Sequence, residues 1–417
     1  MNDINFGQLA FQAGAVFTPG SPINERDLFS GRTKELKQIL NAISQKGYHA
    51  ALYGERGVGK TSLAKVLPEY LKELNQNAHF LNVTCDGADT FSSIWGKAFQ
   101  DLLTSQVRPG IGFTAEEIVQ TEKLLNLLPE KITPDIVKRV LKDLSHDKLL
   151  IVVFDEFDRL SEPQITTLMA DTIKTLSDSG VRSTILLIGV ADSVDDLFHD
   201  HNSIERALVQ IPMPRMTSKE IREIVINGLK KLSMEIEEDA IDEISSLSQG
   251  LPYITHLLSL HSAKSALENR SLKILINHVQ EGVKCALEQW DQTTKSTYYD
   301  AVKSAQPGNI YKEVLLACAL TLVDDLGYFT AAAIREPLNI ISEPKKYDIP
   351  NFAGHLKKFS ESGRGNVIER IGETRKLRYR FTSPMLRPFI IMKGFTENLI
   401  NKEKMKRIAE ISKTELS

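Results

Sequence analysis

The chain has 417 residues, of which 42% are hydrophobic and 25% charged, with a formal net charge of −3. These proportions exclude a largely disordered or disulfide-stapled chain, and the length predicts two to three domains of roughly 100–200 residues each. No apolar run approaches the about 20 residues of a membrane span, and no Lys or Arg precedes Arg26, so neither a membrane helix nor a signal peptide is expected. Three cysteines without a C-x-x-C pattern suit buried small hydrophobes in a reducing, cytoplasmic setting. The charge is uneven. Residues 351–417 hold 8 Lys and 7 Arg against 7 Glu and no Asp, a net +8, which leaves −11 on the rest.

Residues 1–22, with their glycines and prolines, read as an irregular N-terminal arm. The spacing of Leu36, Ile39, Leu40 and Ile43 predicts a helix over Arg32–Lys46. A strand is expected to end at Tyr53, followed by a glycine-rich turn and a helix from Lys60. His79–Thr84, Leu149–Phe154, Thr184–Val190 and Leu208–Pro212 read as further strands, with helices between them at Phe91–Leu103, from Pro134 (Thr133 as its N-cap) through Leu144, and at Glu162–Ser177. Thr104–Pro129 is loosely patterned and reads as an insertion. Strands alternating with helices predict an α/β fold with a mostly parallel sheet. From Ser218 to Ala305 the pattern is helical alone. Helices are then expected at Tyr311–Val323, Ala331–Pro337 and Ile349–Ser360, followed by strands at Asn366–Ile371 and Leu377–Phe381 and a charged helix over 396–417.

Gly54-Glu55-Arg56-Gly57-Val58-Gly59-Lys60-Thr61, followed by Ser62, matches G-x-x-x-x-G-K-[ST] between a strand and a helix. Glycines let backbone N–H groups approach phosphates, and the following helix points its positive end at them. Lys60 is expected to reach the β- and γ-phosphates of ATP, and the Thr61 hydroxyl to ligate Mg²⁺. The partner acid of such a site belongs at the end of a neighbouring strand. Asp155 is positioned to hold Mg²⁺, and Glu156 to polarise the attacking water. Asp158 reads as an exposed acid at a helix start.

These residues resemble an AAA+-type ATPase, nearest the Orc1/Cdc6-like and STAND branches, over about Pro22–Ala305. Phe29-Ser30-Gly31-Arg32 with Thr33-Lys-Glu-Leu is similar to the element that packs on the adenine. Asp155-Glu156-Phe157-Asp158-Arg159-Leu160 is similar to the acidic strand end of both branches. Ile188-Gly-Val-Ala-Asp192 resembles a sensor-1 strand, although Asn commonly stands at the place of Asp192. Gly250-Leu251-Pro252 resembles the G-x-P motif of STAND proteins, whose proline lies against the adenine. The turn after it, Tyr253-Ile254-Thr255-His256, lacks the sensor-2 arginine of Orc1/Cdc6 proteins. His256 is either its substitute or a packed core residue. Arg206 stands where AAA+ proteins often place an arginine reaching a neighbouring subunit, with Arg215 as its rival.

The resemblance implies a three-layer P-loop core over 23–217, a helical lid over 218–305, a winged helix-turn-helix over 306–395 and a charged C-terminal helix over 396–417, with an arm over 1–22. It implies ATP and Mg²⁺ as ligands, ATP hydrolysis and a homo-oligomer; the missing sensor-2 arginine and an acidic Asp192, which would repel the γ-phosphate, make slow hydrolysis the expectation. On the winged segment, Lys357, Lys358, Arg364, Arg375, Lys376, Arg378 and Arg380 are the candidate DNA-binding cations. Alternation of Tyr379 and Phe381 with Arg378 and Arg380 places rings on one strand face and guanidinium groups on the other. The competing reading docks this basic segment on the acidic body or on a protein, in a scaffold that does not hydrolyse ATP. Replication control, transposition and anti-phage defence all suit such a switch, and defence would call for a separate effector protein.

Overall fold

A computed structural model describes residues 4–21, 31–108, 118–146, 148–191, 204–324, 327–372 and 377–414. By packing, the chain divides into two units, Pro22–Pro214 and the combination of Met1–Ser21 with Arg215–Ser417.

In the first unit, α2 (Thr33–Ser44) leads into β1 (His49–Tyr53), α3 (Lys60–Glu73), β2 (Ala78–Thr84) and α4 (Phe91–Phe99). Next come β3 (Leu103–Arg108), β4 (Ile118–Lys123), α5 (Pro134–Leu144), β5 (Leu149–Asp155), α6 (Pro163–Asp178), β6 (Ser183–Gly189) and β7 (Leu208–Pro212). Five strands make one parallel sheet in the order β2-β5-β6-β1-β7. The buried residues of β5 and β6 are apolar almost throughout because helices cover both sheet faces. Trp95 and Phe99 of α4 pack with Phe154 of β5 at the centre of this core, with the Trp95 and Phe154 rings 5.0 Å apart.

The sheet order corrects one expectation. The acidic strand β5 is not the direct neighbour of β1, because β6 lies between them. Register aligns the ends of the three strands: Tyr53 pairs with Gly189, and Phe154 with Leu187. The glycine loop after Tyr53 and the carboxylates after Phe154 therefore leave the same edge of the sheet, where open α/β sheets hold their ligands. The segment expected to be an unpatterned insertion contains an antiparallel hairpin, β3 with β4, registered Leu103 to Lys123 and Arg108 to Ile118.

The second unit opens with α1 (Phe6–Val16), a correction to the irregular arm read from the sequence. Asn5 caps α1 through its Oδ1, which accepts from Gln8 N at 3.0 Å. The helix holds despite Gly7 and Gly14 because its C-terminal end is anchored. Phe17 is 1% exposed and sits edge-on to His256. A side chain at Gly228 would overlap the Phe17 ring at 2.4 Å, so glycine is required there.

Helices α7 (Ser218–Lys231), α8 (Glu238–Ser248), α9 (Pro252–Glu268), α10 (Ile276–Gln289) and α11 (Gln292–Val302) follow. Short strands β8 (Glu235–Ile236) and β9 (Lys273–Ile274) pair in parallel among them. The chain continues through α12 (Tyr311–Leu320), β10 (Phe329–Thr330), α13 (Ala331–Ile341), α14 (Ile349–Phe359), β11 (Ile368–Ile371) and β12 (Arg378–Phe381). The three strands pair in the order β10-β12-β11. Helix α13 runs four residues past its expected end at Pro337. Pro337 has no N–H for the Ala333 carbonyl, and Thr321 Oγ1 donates to that carbonyl at 2.7 Å instead. Helices α15 (Leu386–Thr396) and α16 (Lys402–Thr414) close the chain.

Candidate functional site

The loop between β1 and α3 takes its shape from its glycines. Gly54, Gly57 and Gly59 have φ of 145°, 85° and 96°, a region that side chains disfavour. A Cβ on Gly54 would stand 2.5 Å from the carbonyl oxygen of Met213, so its absence lets the loop start against the end of β7. Val58 is fully buried and anchors the loop, whereas Arg56 is exposed. Gly59 precedes the first residue of α3, Lys60, so the loop ends at a helix N-terminus. Thr61 and Ser62 follow in the first turn.

Lys60 is 8% exposed, and its Nζ donates to Gly54 O and Glu55 O at 2.8 Å each. Burial pushes its ammonium down to about 8. The carboxylates of Asp158, Asp155 and Glu55 oppose that shift, and Arg32 adds to it. Burial likewise raises the Asp155 carboxyl, opposed by a hydrogen bond from the Thr61 side chain. The structure thus places Thr61, in the first turn of α3, and Asp155, at the end of β5, on the same edge of the sheet; they are the two nominated Mg²⁺ ligands. Among the described residues no group of three or more His, Cys, Asp or Glu could hold a metal alone. Two hard oxygens suit Mg²⁺, which keeps several waters and shares phosphate oxygens. The residues present therefore fit a Mg-nucleotide.

Glu156 adopts a left-handed conformation, φ 56°, directly after β5. Its Oε2 accepts from Arg159 Nη1 at 2.8 Å across the start of a short 3₁₀ turn. The i,i+3 spacing of the pair is visible in the sequence, but its significance is not. Asp158 is exposed at the start of that turn, as expected, and also accepts from Val190 N at 2.8 Å, which ties the end of β6 to the acidic turn. Asp192 and Phe29 lie outside the described residues.

Arg32 is the residue whose placement departs most from the adenine-facing expectation. It is 1% exposed, in a left-handed conformation after Gly31 (φ 75°) and immediately before α2. Nη2 donates to Val58 O at 3.0 Å and to Pro214 O at 2.5 Å, and Nη1 to Glu35 Oε1 at 3.4 Å. The guanidinium is spent inside the fold, where it ties the phosphate loop to the chain after β7. It acts as a positioning residue.

Arg206 is exposed just before β7. In the other unit, Arg215 Nη1 donates to Gln249 O at 3.1 Å. There Gly250 has φ 73°, and a Cβ on it would approach Met216 O to 2.6 Å; the turn delivers a buried Pro252 to the first turn of α9. Two residues of the resembling motif thus have a local structural cause. His256 is a core residue: its Nδ1 accepts from Thr18 N at 3.3 Å, and burial holds the ring down at about 4.

On β12, Tyr379 and Phe381 are buried with Phe329 of β10, as the alternation predicted. Lys357 and Lys358 are exposed in the last turn of α14, and Lys358 Nζ reaches Tyr311 Oη at 3.0 Å. Arg364 is committed to the fold. It stacks on the Tyr311 ring at 3.9 Å and caps the end of α11 through the carbonyls of Ala301, at 3.0 Å, and Lys303. Arg378 pairs with Asp324 at 3.2 Å, and Arg380 with Glu369 at 2.5 Å, both beside the Tyr328 ring. Arg375 and Lys376 lie outside the described residues.

A glycine loop entering a helix, a buried lysine at the start of that helix, and an acidic strand end one strand removed define a P-loop NTPase with the AAA+ α/β fold. The family model Novel STAND NTPase 1 matches residues 22–323, and the chain belongs to that family. Among solved structures, a Walker-type ATPase of Pyrococcus abyssi is similar, at 18% identity and TM-score 0.50, over 90% of this chain and 99% of that one. The Orc2 protein of Aeropyrum pernix, solved as ADPNP–ADP complexes, matches at 16% identity and TM-score 0.49 over 94% and 97%. Cdc6p from Pyrobaculum aerophilum matches at 17% identity and TM-score 0.46 over 93% and 99%. At such identities the likeness concerns the fold. No curated protein gives a significant match.

Proposed function

We propose that the protein is an ATP-dependent switch that binds Mg-ATP at the loop Gly54–Thr61, hydrolyses it slowly and couples its nucleotide state to assembly and DNA binding. The observation that carries the reading is the buried Lys60 at the N-terminus of α3, with Thr61 beside it and Asp155 leaving the same edge of the sheet. Loop N–H groups and Lys60 would hold the phosphates, and Thr61 and Asp155 the Mg²⁺, which supplies charge neutralisation when bound. Glu156 orients and polarises the attacking water, and to do so its carboxylate must leave Arg159. The pair joins half-exposed side chains and opens at a cost of about 0.2–1 kcal/mol. The second reading is a nucleotide-gated scaffold that does not hydrolyse ATP.

The exposure of Arg206 suits a residue supplied to a neighbouring copy in a homo-oligomer. The net +8 of residues 351–417 and the exposed Lys357, Lys358 and Arg378 suit duplex DNA. Cys85, Cys285 and Cys318 are all free thiols, which accords with a cytoplasmic location. Among the described residues no helix is long and apolar enough to cross a membrane. A separate effector protein belongs to the reading only if the switch serves defence.

The test is phosphate release by wild type and Glu156→Gln, each with and without duplex DNA. Hydrolysis by wild type, and its loss by about 10²–10⁴-fold in Glu156→Gln with nucleotide binding intact, is expected. No turnover by wild type under any condition transfers the conclusion to the scaffold.

A further inference from the structure

Within the unit Pro22–Pro214, the carboxylate assigned to the attacking water is already paired. Arg159 Nη1 donates to Glu156 Oε2 at 2.8 Å, and the short 3₁₀ turn, with Arg159 N donating to Glu156 O at 3.0 Å, sets their spacing. Neighbouring acids are engaged elsewhere: Asp86 pairs with Lys97 at 2.9 Å, and Asp158 accepts from Val190 N at 2.8 Å. Among the described residues, Glu156 is the one acid with which Arg159 forms an ion pair. The two side chains are 55% and 47% exposed, so Arg159 exchanges Glu156 for a stronger partner at little cost.

The place of the pair indicates that partner. A general base contacts the attacking water, and that water contacts the phosphorus it attacks, so the Glu156 carboxylate belongs one water away from a terminal phosphate. A guanidinium hydrogen-bonded to that carboxylate is then within a side-chain rotation of the phosphate oxygens. Asp158, on the same turn, exerts the largest charge effect on the Lys60 ammonium, which accords with a turn standing close to the phosphate loop. Other cations there are few. Arg32 is spent on Val58 O, Pro214 O and Glu35, which leaves Lys60 and the exposed Arg56 of the loop. A terminal phosphate carries more negative charge than a carboxylate and presents its oxygens to a planar fork.

We infer that Arg159 reads the terminal phosphate of ATP in cis: it leaves Glu156 for the γ-phosphate oxygens when ATP binds, and the same exchange frees Glu156 for the attacking water. ADP lacks that phosphate and leaves the pair closed. The base is thus released only with the substrate in place. This rests on the nucleotide reading and adds the residue by which the switch tells ATP from ADP.

The test is calorimetric titration of the full chain with Mg-ADP and with Mg-ADPNP, whose terminal phosphate is not hydrolysed. Arg159→Gln should weaken ADPNP binding at least tenfold and ADP binding less than twofold, and Arg159→Lys should recover part of the loss. Glu156→Gln, which frees the guanidinium, should keep or raise the affinity for ADPNP relative to ADP, and Glu156→Gln/Arg159→Gln should lose it. A merely structural role for Arg159 would move both nucleotides together. Parallel changes in Arg159→Gln, or no change in either nucleotide, overturn the inference; a relative affinity that falls in Arg56→Gln instead assigns the role to Arg56. Lys60→Ala separates the two claims: nucleotide that binds wild type and is lost in Lys60→Ala upholds the phosphate site whatever Arg159 does, and no binding to wild type defeats both.

Discussion

Arg32→Met separates a structural arginine from a nucleotide-contacting one. The substitution keeps an unbranched side chain in the buried slot and removes the fork that joins Val58 O, Pro214 O and Glu35. Hydrogen bonds to a charged group contribute about 1.5–3 kcal/mol each, and breaking one side of a buried ion pair costs about 3–5 kcal/mol. These figures overlap. The carbonyl bonds are the short ones, and the 3.4 Å Glu35 contact is the weaker, so the expected loss is about 3–5 kcal/mol. With a urea slope of about 2 kcal/mol/M, the unfolding midpoint falls by about 1.5–2.5 M. The two tryptophans report on different units: Trp95 is buried among Phe91, Phe99 and Phe154, and Trp290 lies against Tyr253 and Phe389. In a Trp290→Phe background, Trp95 fluorescence therefore follows the unit that contains Arg32. Arg32→Met/Glu35→Gln should be less destabilised than Arg32→Met, because the stranded carboxylate is neutralised. Arg32→Lys should recover less than half of the loss, since an ammonium lacks the planar fork. A loss below about 0.5 kcal/mol in Arg32→Met, where surface substitutions fall, would refute the positioning role.

Four further outcomes are expected. Burial holds the Lys60 ammonium at about 8, so nucleotide affinity should fall as pH is raised from 7.5 to 9.5, with proton uptake on binding. Stability runs the other way. The unfolded lysine, near 10.5, holds its proton longer than the folded one, so the Lys60 contribution to stability rises between about pH 8 and 10.5. Gly228→Ala drives a methyl into the Phe17 ring and should cost about 1–3 kcal/mol in denaturant unfolding read from Trp290, with Phe17→Leu/Gly228→Ala recovering part of it. Reversing Lys357, Lys358 and Arg378 to Glu should weaken duplex DNA binding at least tenfold and reduce the salt slope by about 2–3. Unchanged affinity in a fluorescence anisotropy titration would remove the wing from the DNA reading.

The nucleotide site was legible because its determinants are local. Glycine spacing in Gly54–Gly59 specifies backbone angles that side chains disfavour, and Lys60-Thr61 must fall on the first turn of the helix that follows. An apolar strand ending in Asp155-Glu156 reads directly as a buried strand with carboxylates at its tip. The buried face of β12 was legible for the same reason, since a period of two puts Tyr379 and Phe381 on one face whatever the rest of the chain does.

What tertiary structure alone decided involves partners far apart in the chain. Strand order put β6 between β1 and β5, and so gave Asp158 a role holding Val190. Arg32 looked like a ligand contact and became a buried tie because the carbonyls of Val58 and Pro214 converge on it. Residues 6–16, poor in helix signal, are helical because Phe17 fits over Gly228 and against His256. Helix α13 passes Pro337 because Thr321 serves the carbonyl that the proline cannot. Glu243 sits in an ordinary amphipathic helix, and only the packing of other elements of its unit against that helix turns an acid into a buried one. In each case the sequence specified the local conformation or the chemical group, and long-range packing determined the partner, because burial and hydrogen-bond pairing depend on which distant segments arrive at the same place.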